Sequence, residues 1–332
     1  MSDFKALVMR KDDQGQIVSS VEQLVLDDLP AGDVLVKVEY STLNYKDGMI
    51  VNGNQGRLVR TFPHVPGIDF AGRVERSADP RFQPGDAVIL TGWRVGEVHW
   101  GGYSQYARVQ GDWLVPCPAT LDTMQAMAVG TAGFTAMLAV LALEEDGLEP
   151  GQGPVLVTGA AGGVGSIAVS LLSRLGYSVS ASTGRREQDA YLRELGATEI
   201  IDRQALNEAA DGPLEKERWA GCIDSVGGKT LSRLLGQIRY LGSVAACGLA
   251  GGAGLNATVL PFLLRGVTLI GIDSVMCPQE RRARAWARIS TDLDLAKLAT
   301  TISMTSLDHI PEQAAQILQG KIRGRLVVDL AD

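Results

Sequence analysis

Two hydrophobic patterns divide the chain. Short apolar, β-branched runs separated by clusters of Gly, Pro and Asp occupy the first third and predict β-strands. The clearest of these runs are FKALVMR, DVLVKVEYSTLN, GIDFAGRVER and DAVILTGW. From about Leu121 the sequence becomes rich in Ala, Leu and Met. The segment DTMQAMAVGTAGFTAMLAVLALEEDG therefore predicts helix, with Asp122 as its N-cap.

Strand and helix patterns then alternate. GPVLVTG and YSVSAST predict strands around a helix in GGVGSIAVSLLSRLG, and TEIIDR, GSVAACG and VTLIGID continue the series, with helices between them. Such alternation predicts an open parallel sheet with helices on both faces. After Asp273 we expect one more helix, PQERRARAWARIS, and a final strand, GRLVVDL.

A glycine-rich loop follows the first strand of this series. Thr158 ends the strand, and Gly159, Gly162, Gly163 and Gly165 lead into the predicted helix. Against the pattern G-x-G-x-x-G, Ala160 stands at the first position, and Gly162 and Gly165 fill the other two. Glycines let the backbone approach a pyrophosphate, and the helix N-terminus offers free N–H groups. The alternative is a glycine turn that only packs a helix against a strand.

The end of the second strand indicates which dinucleotide binds. NAD-selective sites usually carry Asp or Glu there, about 20 residues after the loop. This chain has Ser182, Thr183, Gly184, Arg185 and Arg186 instead. Hydroxyl and guanidinium groups pair with a 2′-phosphate, which a carboxylate would repel. The sequence therefore predicts NADPH, with Arg185 as a contact; alternatively, one arginine of the pair is simply solvated.

Composition excludes several classes of function. The net charge of −7 argues against a general nucleic-acid or anionic-membrane surface. No apolar run approaches the roughly 20 residues of a membrane helix, and MSDFKALVMRKDDQG lacks the apolar segment of a signal peptide. The four cysteines form no CxxC pair, which argues against structural zinc and fits a reduced, cytoplasmic setting.

Motifs along the whole chain carry a family resemblance. They include STLNYKDGM, PGIDFAG, HWGGYSQYARV, GTAGFTAM, VTGAAGGVGS and AACGLAGG. With them the chain resembles the medium-chain dehydrogenase/reductase superfamily. LNYKD, TGWRVGEVHWGG and GIDSVM are narrower and resemble the NADPH-dependent acrylyl-CoA reductases and related quinone oxidoreductases.

The resemblance implies an α/β protein of two domains. A GroES-like, β-rich catalytic domain would comprise residues 1–124 and 274–332, and a Rossmann domain with a doubly wound parallel sheet would comprise residues 125–273 and bind NADP. The family usually forms homodimers, and the apolar edge strand VTLIGID is a candidate dimer contact.

The same comparison predicts that no metal is bound. Zinc-dependent members bind their catalytic metal through a cysteine and a histidine, in C-x-x-D and GHE stretches. The chain has Asn44-Tyr45-Lys46-Asp47 and Gly67-Ile68-Asp69 at these places. Asn and Ile cannot replace thiolate and imidazole as zinc ligands.

Without a metal, the chemistry expected is hydride transfer to an already polarised acceptor. The resemblance favours acryloyl-CoA: the β-carbon would receive the hydride and the α-carbon a proton, giving propanoyl-CoA. An NADPH:quinone oxidoreductase would use the same cofactor site. A third possibility, of another class, is an NADPH-binding structural or regulatory protein without turnover.

Four residues are candidates for the catalytic pocket. The resemblance implies that Tyr45 lies beside the nicotinamide, as a hydrogen-bond donor to the acceptor or as a wall of the pocket. Asn44, Asp47 and Asp69 should cluster nearby, and a catalytic role and a buried polar scaffold are equally open for them. His99 is more typical of a structural histidine.

A second set of residues should line the cofactor. It comprises Tyr45, Gly162, Gly163, Val164, Gly165, Thr183, Gly184, Arg185, Arg203, Leu249 and Asp273. Arg203 could reach the 2′-phosphate or the adenine. Arg325 occupies a frequent basic position of the superfamily, with no role assigned. The helix PQERRARAWAR predicts a solvated face with Trp286 turned inward, or alternatively a contact to CoA phosphates.

Overall fold

The computed structural model describes residues 3–208, 210 and 212–330, and it divides the chain into two compact units. The first comprises Met1–Thr131, Ser274–Ala283 and Thr301–Asp332, and the second comprises Ala132–Asp273 and Arg284–Thr300. Both ends of the chain thus contribute to one β-rich unit. Compact units are defined by contacts rather than by independent folding, so the domain boundaries at 124/125 and 273/274 stay a prediction.

The first unit is built on mostly antiparallel sheets, with one parallel pair formed by its two C-terminal strands. Its strands and its short helix up to residue 116 are β1 (Asp3–Lys11), β2 (Ile17–Val25), β3 (Val34–Leu43), α1 (Tyr45–Val51), β4 (Asp69–Ser77), β5 (Ala87–Thr91), β6 (Tyr106–Val109) and β7 (Val115–Pro116). Strands β1 and β2 form a two-stranded sheet. A core of alternate strand residues, among them Val36, Phe70 and Val328, fills this unit. β-branched and aromatic side chains pack well on such half-buried surfaces.

Helix α2 (Thr123–Glu145) follows. Asp122 accepts the N–H of Gln125 at 2.6 Å, which confirms its predicted role as N-cap. Its hydropathy corrects the expectation that no segment could span a membrane, because an 18-residue window averages 1.9. Single Gly, Thr and Gln residues interrupt the apolar run without lowering this average much. Since 94% of the window is buried, core packing explains its composition.

The second unit contains a six-stranded sheet in which all neighbouring strands are parallel. Its elements are β8 (Val155–Val157), α3 (Gly163–Arg174), β9 (Val179–Thr183), α4 (Asp189–Leu195), β10 (Glu199–Asp202), α5 (Gln204–Asn207), β11 (Trp219–Asp224), α6 (Gly228–Leu234), β12 (Ile238–Ala246), α7 (Leu260–Arg265) and β13 (Thr268–Gly271). The strand order β10-β9-β8-β11-β12-β13 is that of a doubly wound sheet, whose direction of winding changes between β8 and β11.

The C-terminal part departs from the sequence-based expectation of one helix. It contains α8 (Gln279–Asp292), α9 (Leu295–Thr301), β14 (Ile302–Thr305), α10 (Ile310–Leu318) and β15 (Arg325–Asp329). The seven-stranded sheet of the first unit runs β14-β15-β3-β4-β5-β7, with β6 paired to β3. α9 has seven residues; Leu, Ala and Lys favour helix there, but so short a segment gives no clear periodic pattern in the sequence. α10 carries Pro311 in its first turn, a position that proline favours.

Candidate functional site

The loop between β8 and α3 has a backbone that requires glycine. Gly159 adopts a left-handed φ of +59°. A Cβ at Gly165 would lie 2.4 Å from the Gly159 carbonyl oxygen, so only glycine lets the start of α3 pack on this loop. Gly162 precedes the helix, and Gly162, Gly163 and Val164 are partly exposed. The N–H groups of a first helical turn lack acceptors within the helix, so the arrangement suits a pyrophosphate.

The end of β9 brings its predicted residues to this loop. The Arg185 guanidinium donates to the carbonyl oxygen of Ala161, 2.8 Å away, and its backbone N–H donates to the Thr183 hydroxyl oxygen at 3.1 Å. A Cβ at Gly184 would lie 2.2 Å from Nε of Arg203, so the Arg203 side chain lies across Gly184. A cluster of two guanidinium groups and a hydroxyl therefore lies beside the glycine loop. Such a cluster fits a phosphate.

Arg186 lies apart from this cluster. Its side chain is 85% exposed and pairs with Asp202 at 3.2 Å. This placement agrees with the alternative in which one arginine of the pair is solvated.

Leu249 and Asp273 lie beyond the carboxyl ends of the last two strands. Leu249 follows β12 and is exposed, and Asp273 is exposed two residues after β13. The carboxyl ends of parallel strands share one edge of the sheet, so both residues lie at the edge that carries the glycine loop. All the predicted cofactor residues of the second unit thus belong to this edge.

Sequence reasoning missed a buried link between β8 and β11. The Thr158 hydroxyl donates to Asp224 at 2.5 Å, and the Gly227 N–H donates to the other carboxylate oxygen at 2.8 Å. Ser225 closes the link by donating its hydroxyl to the Thr158 carbonyl oxygen at 3.0 Å. Burial raises the pKa of Asp224. The link fixes the crevice where the winding changes direction, and a Thr and an Asp ending two apolar strands were its only signal.

In the first unit, a capping box fixes the start of α1. The Asn44 N–H donates to Asp47 at 2.9 Å, and the other oxygen of Asp47 accepts the Ile68 N–H at 2.9 Å. This ties the first helical turn to the residues before β4. Tyr45 is the first residue of α1, and 42% of it is exposed. The structure thus places an accessible tyrosine at a helix start that is fixed by hydrogen bonds.

The Asn44 side chain uses its hydrogen-bonding capacity within the cluster. Its amide nitrogen lies 3.2 Å from Asp47 and 3.0 Å from Asp69, and its oxygen accepts from Arg325 at 3.3 Å. A carboxamide has two N–H groups and one oxygen. Since Asp47 and Asp69 are fully buried, the geometry favours the scaffold alternative for all three residues.

Arg325 supplies the positive charge of this cluster. Its side chain is 2% exposed and donates to the Ala128 carbonyl oxygen and the Thr42 hydroxyl, both at 2.8 Å. Its guanidinium and the two carboxylates of Asp47 and Asp69 are buried together, which is costly unless the charges are paired and hydrogen-bonded. No role could be assigned to Arg325 from the sequence. In the structure, its positive charge balances the buried carboxyls of Asp47 and Asp69.

An interruption in α2 completes the cluster. Gly130 has φ +50° and ψ −160°, outside the helical region. The N–H of Thr131 consequently donates to Asp69 at 2.7 Å, and the Thr131 hydroxyl donates to the other oxygen. A Cβ at Gly130 would lie 2.7 Å from both the Arg325 guanidinium and Asp69. Glycine is therefore required by the turn and by the close approach.

Burial dominates the titration of the two carboxyls. It raises the pKa of Asp47 to about 7, and the neighbouring charge of Asp69 adds to this, while the N–H donors of Asn44 and Ile68 oppose it. Burial also raises the pKa of Asp69, against the donors of Thr131 and the charge of Arg325. A raised pKa means that the native state binds the proton more tightly, so the Asp47 contribution to stability is present below about pH 4 and is lost as the pH rises through 7.

The segment GWRVGEVHWGG contains a strained turn. Gly92, Trp93 and Arg94 have φ values of +82°, +54° and +58°. Left-handed conformations of non-glycine residues cost about 1–3 kcal/mol each and persist where the surroundings hold them. His99, in the same segment, places Nδ1 3.0 Å from the Trp100 carbonyl oxygen and packs edge-on against the Trp113 ring. These contacts agree with a structural role for His99.

Helix α8 corrects the expectation of a solvated arginine face. Arg282 is fully buried and donates to the Thr91 carbonyl oxygen at 2.7 Å. Two further arginines form ion pairs within the chain, Arg284 with Glu145 at 2.7 Å and Arg288 with Glu144 at 2.9 Å. The prediction that Trp286 points inward is confirmed, since it is 1% exposed. Arg282, Arg284 and Arg288 thus all contact other parts of the chain, although Arg284 stays 54% exposed, and the charge pattern alone did not reveal these contacts.

The residues that the structure describes contain no group of three His, Cys, Asp or Glu side chains placed to hold a metal ion. Asn44 and Ile68, which stand where zinc ligands are expected, instead take part in the hydrogen bonds of the buried cluster. The absence of a metal in the working protein stays a prediction.

A β-rich unit made from both chain ends, and a doubly wound sheet with a glycine loop, define a medium-chain dehydrogenase/reductase. Family comparison agrees: the model described as "Alcohol dehydrogenase GroES-like domain" matches residues 30–119, and "Zinc-binding dehydrogenase" matches residues 163–291. The chain is 62% identical over 328 residues to the acrylyl-CoA reductase AcuI of Ruegeria pomeroyi, covering 98% of this chain and 99% of that protein.

Solved structures of related proteins show the same fold over nearly the whole chain. The yhdH oxidoreductase of Salmonella enterica, in complex with NADP, has a TM-score of 0.95 at 51% identity and covers 98% of this chain and 99% of its own. The Bacillus subtilis protein yhfP, with NAD bound, has a TM-score of 0.95 at 49% identity, with 99% and 100% covered. The chain therefore belongs to the acrylyl-CoA reductase and quinone oxidoreductase subfamily of the medium-chain dehydrogenases/reductases.

Proposed function

We propose that the protein is an NADPH-dependent acrylyl-CoA reductase, which reduces the α,β-double bond of acryloyl-CoA to give propanoyl-CoA. The observation that carries the choice of acceptor is the likeness to AcuI of Ruegeria pomeroyi, at 62% identity over nearly the full length of both chains. The contact of Arg185 with the glycine loop supports the choice of NADPH.

The residues present fit the cofactor. The glycine loop, whose Gly165 leaves no room for a Cβ, would receive the pyrophosphate, and Thr183, Arg185 and Arg203 would hold the 2′-phosphate. When bound, NADPH supplies a hydride. We assign Gly162, Gly163, Val164, Gly184, Leu249 and Asp273 to the same cofactor site.

In the first unit, we assign Tyr45 to the wall of the acceptor pocket and the buried cluster to holding it. Asn44, Asp47 and Asp69 are enclosed and engaged with one another, so they orient the start of α1. A residue fixed in this way positions a reactant at little entropic cost during the reaction. Tyr45 would close one side of the pocket and exclude water.

Tyr45 offers a direct test of this assignment. Tyr45→Phe keeps the ring, so we expect kcat/KM for acryloyl-CoA within about threefold of the wild type, whereas Tyr45→Ala should lose about tenfold or more. Steady-state kinetics of both variants would measure this, with Tyr240→Phe, an exposed tyrosine of the second unit, as control. A loss in Tyr45→Phe as large as in Tyr45→Ala would instead make the hydroxyl a hydrogen-bond donor to the acceptor.

The acceptor is tested by comparing kcat/KM for acryloyl-CoA and for a small soluble quinone, both with NADPH. A preference of about a hundredfold for acryloyl-CoA, or roughly 2.7 kcal/mol in transition-state binding, supports the proposal. The opposite preference makes the protein a quinone oxidoreductase. Failure of either acceptor to oxidise bound NADPH in a single turnover would leave the non-catalytic alternative.

We also propose a homodimer formed through the edge of the second unit. In the described part of the sheet, β13 pairs with β12 alone, and Val259, Leu263 and Leu264 are 63%, 73% and 59% exposed near it in sequence. An open strand edge and apolar side chains both favour self-association. A cytoplasmic location agrees with four cysteines that form no CxxC pair. The net charge of −7 disfavours membrane and nucleic-acid partners.

Light scattering would test the dimer. We expect twice the monomer mass at micromolar concentration and dissociation in Leu263→Glu, because a charge would be buried at the contact. Val18→Glu, at an exposed position of the first unit, is the matched control. A wild-type monomer would contradict the proposal.

A further inference from the structure

The strained turn at Gly92–Arg94 presents one side chain to solvent. Three consecutive residues are left-handed, and two of them, Trp93 and Arg94, are not glycine. L-residues adopt this conformation seldom, and strained residues of this kind cluster at functional sites. The side chain of Arg94 is 54% exposed. The turn therefore directs a guanidinium group outward at a conformational cost.

Contacts behind the turn hold it in place. The Trp93 N–H donates to the Val275 carbonyl oxygen at 2.9 Å, and the fully buried Arg282 lies 5.1 Å from the centre of the Trp93 ring. The Arg94 carbonyl oxygen accepts the N–H groups of Glu97 and Val98, at 3.1 and 2.9 Å. Hydrogen bonds therefore hold the backbone of the turn, and the buried Arg282 packs against the Trp93 side chain that precedes Arg94.

The charges around Arg94 do not balance. Glu97 is buried, and one of its carboxylate oxygens accepts from the Lys46 ammonium at 2.8 Å. The other oxygen lies 3.9 Å from Nε of Arg94, beyond hydrogen-bond distance. Two cations therefore share one carboxylate that is already paired with Lys46. Within the described part of the chain, these contacts leave a surplus positive charge on Arg94, whose side chain is accessible.

This charge lies next to the start of α1. Lys46 follows Tyr45 directly, and its pairing with Glu97 ties the turn to the helix that carries the proposed pocket wall. Arg94 is thus linked through Glu97 to the residue that follows Tyr45 in the chain. An acyl-CoA carries several phosphate groups, which guanidinium groups bind with two parallel hydrogen bonds.

We propose that Arg94 binds a phosphate group of the CoA moiety and thereby selects acyl-CoA over small uncharged acceptors; this inference rests on the proposed function. The left-handed turn keeps the guanidinium presented before the substrate arrives. Such preorganisation lowers the entropic cost of binding.

The first test is Arg94→Gln. We expect KM for acryloyl-CoA to rise about tenfold, since a hydrogen bond between charged groups is lost, with kcat and the KM for NADPH within about twofold. The kcat/KM for a small uncharged enone should be unchanged. Added salt should raise the wild-type KM for acryloyl-CoA more steeply than that of the variant. Arg76→Gln removes an equal, exposed charge of the same unit and serves as control.

Two further variants, compared with Arg94→Gln, separate the strain from the charge. Arg94→Gly removes both, so the melting temperature should rise while KM for acryloyl-CoA increases as in Arg94→Gln. Arg94→Lys keeps the charge and should recover part of the affinity. A purely structural role would leave KM unchanged in all three variants.

Calorimetric titration of the NADP-saturated protein with CoA keeps the outcomes distinct. A KM for Arg94→Gln within twofold of the wild type, in an enzyme that reduces acryloyl-CoA, overturns the inference alone. If the wild type does not reduce acryloyl-CoA, the proposed function fails. CoA binding then decides: weaker binding to Arg94→Gln supports the role of Arg94, and equal binding, or none to either protein, overturns it.

Discussion

Arg325→Met should lower the free energy of unfolding by about 3–5 kcal/mol, the usual cost of removing one partner from a buried charge pair. The variant keeps most of the side-chain volume and leaves Asp47 and Asp69 without their buried cation. It also leaves the Ala128 carbonyl oxygen and the Thr42 hydroxyl without the guanidinium donor. Denaturant unfolding would measure the loss, and Arg323→Met, at an exposed position two residues away, is the control.

The loss in Arg325→Met should depend on pH. Arg325 lowers the pKa of Asp69, so its removal lets burial raise that pKa further above the ordinary value. A native carboxyl with a raised pKa favours folding at low pH and loses this contribution as the pH rises. The variant should therefore be closer to the wild type at pH 5 than at pH 8. A pH-independent loss of less than about 1 kcal/mol would contradict the role of Arg325 as counter-charge.

Arg185→Ala should weaken NADPH binding about a hundredfold and NADH binding less than about threefold. The guanidinium lies against the glycine loop and would pair with the 2′-phosphate, which NADH lacks. Fluorescence titration with both nucleotides would measure the two dissociation constants. The related yhfP was solved with NAD, so selectivity within the subfamily is open to measurement.

Arg186→Ala is the matched control for this experiment. Its side chain is 85% exposed and is paired with Asp202, so its removal should change the affinity for NADPH little. Equal losses for NADPH and NADH in Arg185→Ala would remove Arg185 from the 2′-phosphate site. In that case Arg203, which lies across Gly184, would be the remaining candidate there.

Much of the second unit could be predicted from sequence because its signals are local. Each strand of the parallel sheet is a short apolar run, and the glycine loop lies between one such run and a helix. The position of Arg185 follows from strand β9, which ends two residues before it. These features depend on residues only a few positions apart, so the periodicity of apolar residues in the sequence predicts them.

The buried cluster of the first unit could not be predicted in the same way. Arg325 contacts Thr42, Asn44 and Ala128, which are hundreds of positions away along the chain. The sequence suggested that Asn44, Asp47 and Asp69 meet, yet only their hydrogen bonds favour a scaffold over catalysis. Helix α1 was missed because its seven residues are held by Asn44 and Asp47 rather than by helical propensity.

The break at Gly130 has a consequence for amide exchange. The N–H of Thr131 donates to the carboxylate of Asp69, whereas the amides further along a helix donate to carbonyl groups of the preceding turn. The Thr131 amide proton can exchange with solvent when its hydrogen bond to the Asp69 carboxylate breaks. The other amide protons of the helix exchange when the helix itself opens. The exchange rate of the Thr131 amide therefore reports on the buried charge cluster, and it can be distinguished from the exchange rates of the other amides of α2.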